Sequence, residues 1–128
     1  MSRDEWFRRT TWTDADQRDF FERLKRCRKH NKAQYIRIQA ATLQEVRTPK
    51  MVSEALRLLE LYFAEYSDEI DLAPAYEQAA ECHASLRRSD EAIGYFRKAI
   101  ERQRVFPNVI TNACFTFGKY VIEIGRKD

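Results

Sequence analysis

The chain has 128 residues, enough for one domain that buries about two-thirds of the surface its unfolded form exposes. Hydrophobic residues at 44% and charged residues at 34% exclude wholesale disorder, and a supply of only three glycines and three prolines disfavours a turn-rich all-β fold. The net charge of +3 hides an asymmetry, because residues 1–50 carry 13 Lys/Arg against 7 Asp/Glu while residues 51–128 carry 10 against 13; this bears on partner fields rather than on fold.

Residues 1–12 hold Trp6, Phe7 and Trp12 among three arginines without a clear period. Thr13 followed by Asp14 and Asp16 predicts a capped helix start with acids in the first turn, where they oppose the helix dipole. The first helix is expected over 13–30 with Phe20, Leu24 and Cys27 on one face, and the second from Lys32 to about Val46, burying Tyr35, Ile38, Ala41 or Thr42, and Val46. Thr48-Pro49 predicts a new start, since proline at the first helical position lacks only an N–H that would have no partner there. Helix three, about 49–66, carries Val52, Ala55, Leu56, Leu59, Tyr62 and Phe63 at helical spacing, and Ser67–Asp71 is a polar break. Helix four is expected over about 72–87 with Pro74 in its first turn. Helix five is expected from a Ser89 cap to about Arg104, and helix six over 108–125 after Phe106-Pro107. Six helices with loops this short imply antiparallel neighbours in a single all-α domain.

Small and large apolar residues recur across these helices. Tyr76, Ala79, Ala80 and His83 on helix four precede Ala92, Phe96 and Ala99 on helix five, and Ala113, Phe117, Gly118 and Val121 restart the pattern on helix six. On these residues the chain resembles the tetratricopeptide repeat (TPR) family. Residues 72–104 form the best copy and 32–66 a degenerate one with Ala55, Leu59 and Tyr62 in the second helix; 13–30 and 108–125 form half-copies. The resemblance implies antiparallel helical hairpins stacked as a short right-handed solenoid that binds other proteins and performs no catalysis. The opening Trp6-Phe7-Arg8-x-Thr10-x-Trp12 also resembles the start of short bacterial TPR-like proteins, a likeness that supplies no activity.

In that family the first helix of each hairpin lines a concave groove. Carried over position by position, the groove here comprises Arg37, Ala40, Gln44, Glu77, Gln78, Glu81, Asn112, Phe115 and Lys119. Glu77 and Glu81 stand where a carboxylate clamp needs basic groups, so a partner segment of mixed or basic character is expected over a chaperone C-terminus. The competing reading is a plain solvated face. A small secretion-type chaperone accepting an extended peptide is a further alternative.

The run Arg23, Lys25, Arg26, Arg28, Lys29, His30, Lys32 suits phosphates. Placed on one continuous helix, however, these residues spread around more than one side, with no aromatic interleaved for base stacking. The sequence therefore favours a solvated outer face, and a nucleic-acid-associated helical protein using this basic first helix stands as the runner-up reading. Trp6, Phe7 and Trp12 are expected to cover a solenoid end in preference to acting as a recognition hook. His83 stands at a core position, and Cys27, Cys82 and Cys114 read as small core residues. No phosphate loop, dinucleotide fingerprint, zinc-protease or nucleophile-elbow motif is present, so neither an enzyme nor a bound cofactor or metal is expected.

Three cysteines without a CxxC pair, a charged N-terminus and a longest uncharged run of 14 residues (Val105–Gly118) point to a cytoplasmic protein with reduced thiols and no membrane association. Helix six presents Cys114, Phe117, Val121 and Ile124 as a face that a following helix would cover. The N-terminal aromatics, a second copy of the chain or a partner protein is expected to cover it; homodimerisation through that face is the prediction, the alternative being a longer native reading frame.

Overall fold

The computed structural model describes residues 5–66, 72–105 and 120–121, and every regular element among them is helical. A 3₁₀ turn (Glu5–Phe7) is followed by α1 (Asp14–Lys25), α2 (Lys29–Val46), α3 (Pro49–Leu61) ending in a π-helical turn (Tyr62–Tyr66), α4 (Leu72–Ser85) and α5 (Ser89–Val105). The expected breaks at Ser67–Asp71 and Phe106–Asn108 lie outside the described residues. So does the expected sixth helix, apart from Tyr120 and Val121, which are helical. The chain divides into two compact units, Met1–Ser67 and Asp68–Asp128.

In the first unit α1 starts with a capping box. The Thr13 hydroxyl accepts from the Asp16 N–H at 3.1 Å and the Asp16 carboxylate accepts from the Thr13 N–H at 3.0 Å, as the sequence predicts. The helix stops at Lys25, five residues short of the expected end. The Arg26 and Cys27 N–H groups fold back to the Arg23 and Leu24 carbonyls at 3.2 and 3.0 Å. Continuing it would set Lys25 against Lys29 and Arg28 against Lys32 at i, i+4, a like-charge pairing that opposes the helix. Cys27 consequently leaves the buried stripe and is only half-buried, its thiol donating to the Arg23 carbonyl at 3.4 Å.

The chain re-enters a helix at Lys29, and α2 packs against α3 as a hairpin joined by Arg47 and Thr48. Arg47 takes the left-handed conformation (φ 67°), its N–H bonding to the Gln44 carbonyl, and the Thr48 hydroxyl accepts from the Met51 N–H at 3.2 Å. Val52, Ala55, Leu56, Leu59 and Tyr62 are buried as their spacing predicts, and Leu58 joins them.

The expected buried face of α2 is wrong by part of a turn. Ala33, Ile36, Gln39, Ala40 and Leu43 are buried, whereas Tyr35, Ile38, Ala41 and Thr42 are half-buried and Val46 is exposed. Gln39 sits mid-stripe, and its polarity breaks the hydropathy pattern that would have marked this face.

The segment before α1 folds onto α1 and α2. Trp6, Phe7 and Trp12 are all buried. Phe7 stacks on Tyr35 at 4.2 Å, Trp6 meets the Tyr35 and Phe20 rings at 5.1 and 5.6 Å, and Trp12 meets Phe20 at 5.3 Å. Such aromatic pairs contribute on the order of 1 kcal/mol each beyond simple burial. These side chains therefore complete the core of their own unit.

In the second unit α4 and α5 pack closely as a second hairpin. α4 ends in a Schellman motif: the Arg88 N–H donates to the His83 carbonyl at 2.8 Å and the Arg87 N–H to the Ala84 carbonyl at 3.0 Å, with Arg87 left-handed (φ 60°). The Arg88 carbonyl takes the first bond of α5, from Ala92 at 2.9 Å. Arg88 thus holds the cap position expected of Ser89, which is the first helical residue instead. The Ser89 hydroxyl is engaged by the Tyr120 phenol at 3.1 Å. Ala80, Ala92, Phe96 and Tyr120 form the buried cluster, with Ala84 and Tyr95 packed against it. Alanines at the crossing let the helix backbones approach, and the aromatics fill the space beside them.

Candidate functional site

The α4–α5 hairpin realises the small-and-large register in its burial pattern. Ala79, Ala80, Ala92, Phe96 and Ala99 are essentially inaccessible, and His83 is 7% exposed. Glu77, Gln78 and Glu81 are half-buried on α4, as are Leu72, Pro74, Tyr76 and Ala84, and Ser85 at its end is exposed. Glu77 and Glu81 stand one helical turn apart, so their charges reinforce each other along one side of α4.

A second feature of this hairpin went unread in the sequence. The Lys98 ammonium lies 5.1 Å from the Tyr95 ring centroid and 5.7 Å from that of Tyr76. Tyr95 in turn stacks on His83 at 5.3 Å with an interplanar angle of 11°. The result is a ladder of cation, two tyrosines and an imidazole across the two helices, in which the tyrosine faces hold Lys98 by their quadrupoles. The i, i+3 spacing of Tyr95 and Lys98 was available as a signal. Cys82 is fully buried, and burial, with the Glu81 charge second, pushes its thiol up to about 12, so it carries no thiolate chemistry.

The other expected groove residues fall elsewhere. Arg37 and Gln44 are half-buried on α2 in the first unit, while Ala40 is completely buried and leaves the groove set, because it belongs to the stripe facing the core. Asn112, Phe115 and Lys119 lie outside the described residues, as do Cys114, Phe117 and Ile124 of the expected self-association face. Val121 of that face is 43% exposed, whereas its neighbour Tyr120 is buried against Phe96 at 5.9 Å.

Sequence reasoning also missed a polar lock in the first unit. Arg9 is 8% exposed, and its guanidinium donates to the Trp6 carbonyl at 2.8 Å, to Asp16 at 3.2 Å and to Asp19. Its backbone is held from the other side by Gln39. A charged residue in an aperiodic segment gives no hydropathy signal, which is why it was invisible. Asp16 collects hydrogen bonds from the Thr11 hydroxyl at 2.7 Å and from the Thr13 N–H, and these, with the nearby Arg9 charge, lower its carboxyl to about 2.

The basic run is placed differently from expectation. Because α1 ends at Lys25 and α2 begins at Lys29, the run wraps one turn instead of winding round a single helix. Arg23, Lys25, Arg26, Arg28, Lys29 and His30 are exposed and Lys32 is half-buried.

No group of three or more His, Cys, Asp or Glu among the described residues is placed to hold a metal ion, and no helix among them is long and apolar enough to cross a membrane. Comparison of the chain with family models, with curated proteins and with solved structures finds no match.

Proposed function

We propose that this chain is a TPR-like, non-catalytic protein-interaction module of the cytoplasm that binds a peptide or partner protein along the Glu77–Gln78–Glu81 side of α4. The observation that supports this reading is the burial register of the α4–α5 hairpin. Of the positions that the repeat pattern assigns to helix contact on α4 and α5, Ala79, Ala80, His83, Ala92, Phe96 and Ala99 are buried and Tyr76 is half-buried, while the acidic pair Glu77 and Glu81 keeps partial exposure. A helical scaffold with its apolar residues committed internally recognises partners by the charge and shape of what remains. Two acids one turn apart suit a basic or mixed segment and repel a C-terminal carboxylate.

The test is affinity capture from the native cell extract with the wild-type chain and with a Glu77→Lys/Glu81→Lys variant. A protein retained by the wild type and lost by the charge-reversed variant supports the reading. Equal retention by both, or recovery of nucleic acid without protein, sinks it.

A further inference from the structure

We propose that the α1–α2 turn is a second, independent interaction surface, one that binds the phosphate backbone of double-helical nucleic acid without reading its sequence. From Arg23 to Gln44 the chain contains no carboxylate side chain. Two cations of the run are already answered within α1, Arg23 by Asp19 at 3.0 Å and Lys25 by Glu22 at 3.3 Å. Among the described residues Arg26, Arg28, Lys29 and Lys32 make no ion pair. Four uncompensated cations within seven residues, gathered by the turn, repel one another, and a polyanion relieves that repulsion while releasing its own counterions.

The chemistry of the surroundings selects among polyanions. No large apolar side chain among the described residues is exposed at the turn, the exposed ones being Val46 and Val121, so there is no wedge to enter a lipid surface. Tyr35 on α2 and Phe21 on α1 are half-buried and packed on Phe7 and on Trp12 and Phe20, so neither offers a free face to an unstacked base, and the His30 imidazole is the one exposed ring within the run. A run without a single acid suits a uniformly anionic partner better than a protein surface of mixed sign. What fits is a regular phosphate array contacted by charge alone.

Binding of a fluorescein-labelled mixed-sequence DNA duplex, read by anisotropy with the full chain, tests this. Four phosphate contacts predict that affinity falls on the order of 100-fold between 50 and 200 mM salt. An Arg26→Gln/Arg28→Gln/Lys29→Gln/Lys32→Gln variant should bind at least about tenfold more weakly at the lower salt. A control removing the same charge at exposed sites elsewhere, Lys50→Gln/Arg57→Gln/Arg97→Gln/Arg104→Gln, should stay within about threefold of wild type. If the turn variant melts early, protection of Lys29 and Lys32 from acylation by the duplex in the wild type supplies the readout. The proposal is overturned by absence of saturable binding at low salt, by equal loss in the control variant, or by absent lysine protection. Anionic vesicles or polyglutamate binding as tightly as the duplex would also overturn it, assigning the turn to a membrane or an acidic protein.

Discussion

Gln39 holds Arg9 by its backbone. The Gln39 amide oxygen accepts from the Arg9 N–H at 3.0 Å and its nitrogen donates to the Arg9 carbonyl at 2.8 Å, thirty residues apart in sequence. One side chain thereby satisfies both backbone polar groups of a buried residue in a segment that has no strand partner to do so. This fixes the chain between Trp6 and Trp12 over α1 and α2, and the Arg9 guanidinium then ties the same segment to Asp16 and Asp19.

Replacing Gln39 by Ala deprives both of those buried groups of their partner and should destabilise the first unit by about 2–4 kcal/mol. Gln39→Glu is the sharper test. The side chain keeps its shape but must be protonated to donate to the Arg9 carbonyl, so its defect should shrink as pH falls. Both tryptophans of the chain, Trp6 and Trp12, lie in or beside this segment. Denaturant titrations followed by tryptophan fluorescence therefore report on it directly, and an unchanged midpoint in both variants would refute the lock.

Asp16 predicts an acid response. Its carboxyl is lowered from 3.8 to about 2, chiefly by the Thr11 hydroxyl and the Thr13 N–H. A depressed folded-state value means stability fully present above the unfolded value and lost as pH falls from about 5 towards 2. With the side chain partly open to solvent, the loss is about 1–2 kcal/mol. Thermal midpoints of wild type and Asp16→Asn measured across that range should converge as the pH drops. Parallel curves would mean that other carboxylates carry the acid transition.

Two arginines occupy backbone positions that favour glycine, Arg47 with φ 67° and Arg87 with φ 60°. The left-handed conformation crowds the Cβ against the backbone, and glycine removes that crowding at some entropic expense in the unfolded chain. Arg47→Gly and Arg87→Gly should each stabilise the protein by about 0.5–1 kcal/mol. Alanine at the same positions keeps the Cβ and should give no gain. A stabilising alanine would point to relief of charge crowding, with the backbone conformation playing no part.

What was legible in the sequence divides by physical range. The Thr13 and Thr48-Pro49 starts were readable because a cap is made within four residues of itself; the α3 and α5 stripes were readable because each is apolar throughout, and that of α4 because its alanines outweigh the single polar His83. The α2 face was misread because the partner that makes Gln39 a core residue lies thirty residues away, in a segment of no period. The end of α1 was misread because no Gly or Pro marks it; like-charge crowding does, and crowding leaves no punctuation. Of the candidate groove residues, Glu77, Gln78 and Glu81 are half-buried on α4, Ala40 was assigned to the wrong face for the same reason as its helix, and the full Tyr76–Lys98–Tyr95–His83 ladder went unread because it forms only when two helices meet.

The thiols give a test of the second hairpin that needs no partner. Cys82 is completely buried on α4 and its thiol is pushed up to about 12, whereas Cys27 is half-buried at the α1–α2 turn. Alkylation proceeds through the thiolate and requires access; burial denies Cys82 both, whereas Cys27 is partly open to solvent. Peptide mapping after iodoacetamide treatment at pH 8 should find Cys27 modified while Cys82 is modified only as fast as its helix opens. Denaturant should abolish the difference. Equal native rates at the two positions would place Cys82 at the surface, and with it would fall the register in which Ala79, Ala80 and His83 face inward and Glu77 and Glu81 are left to meet a partner.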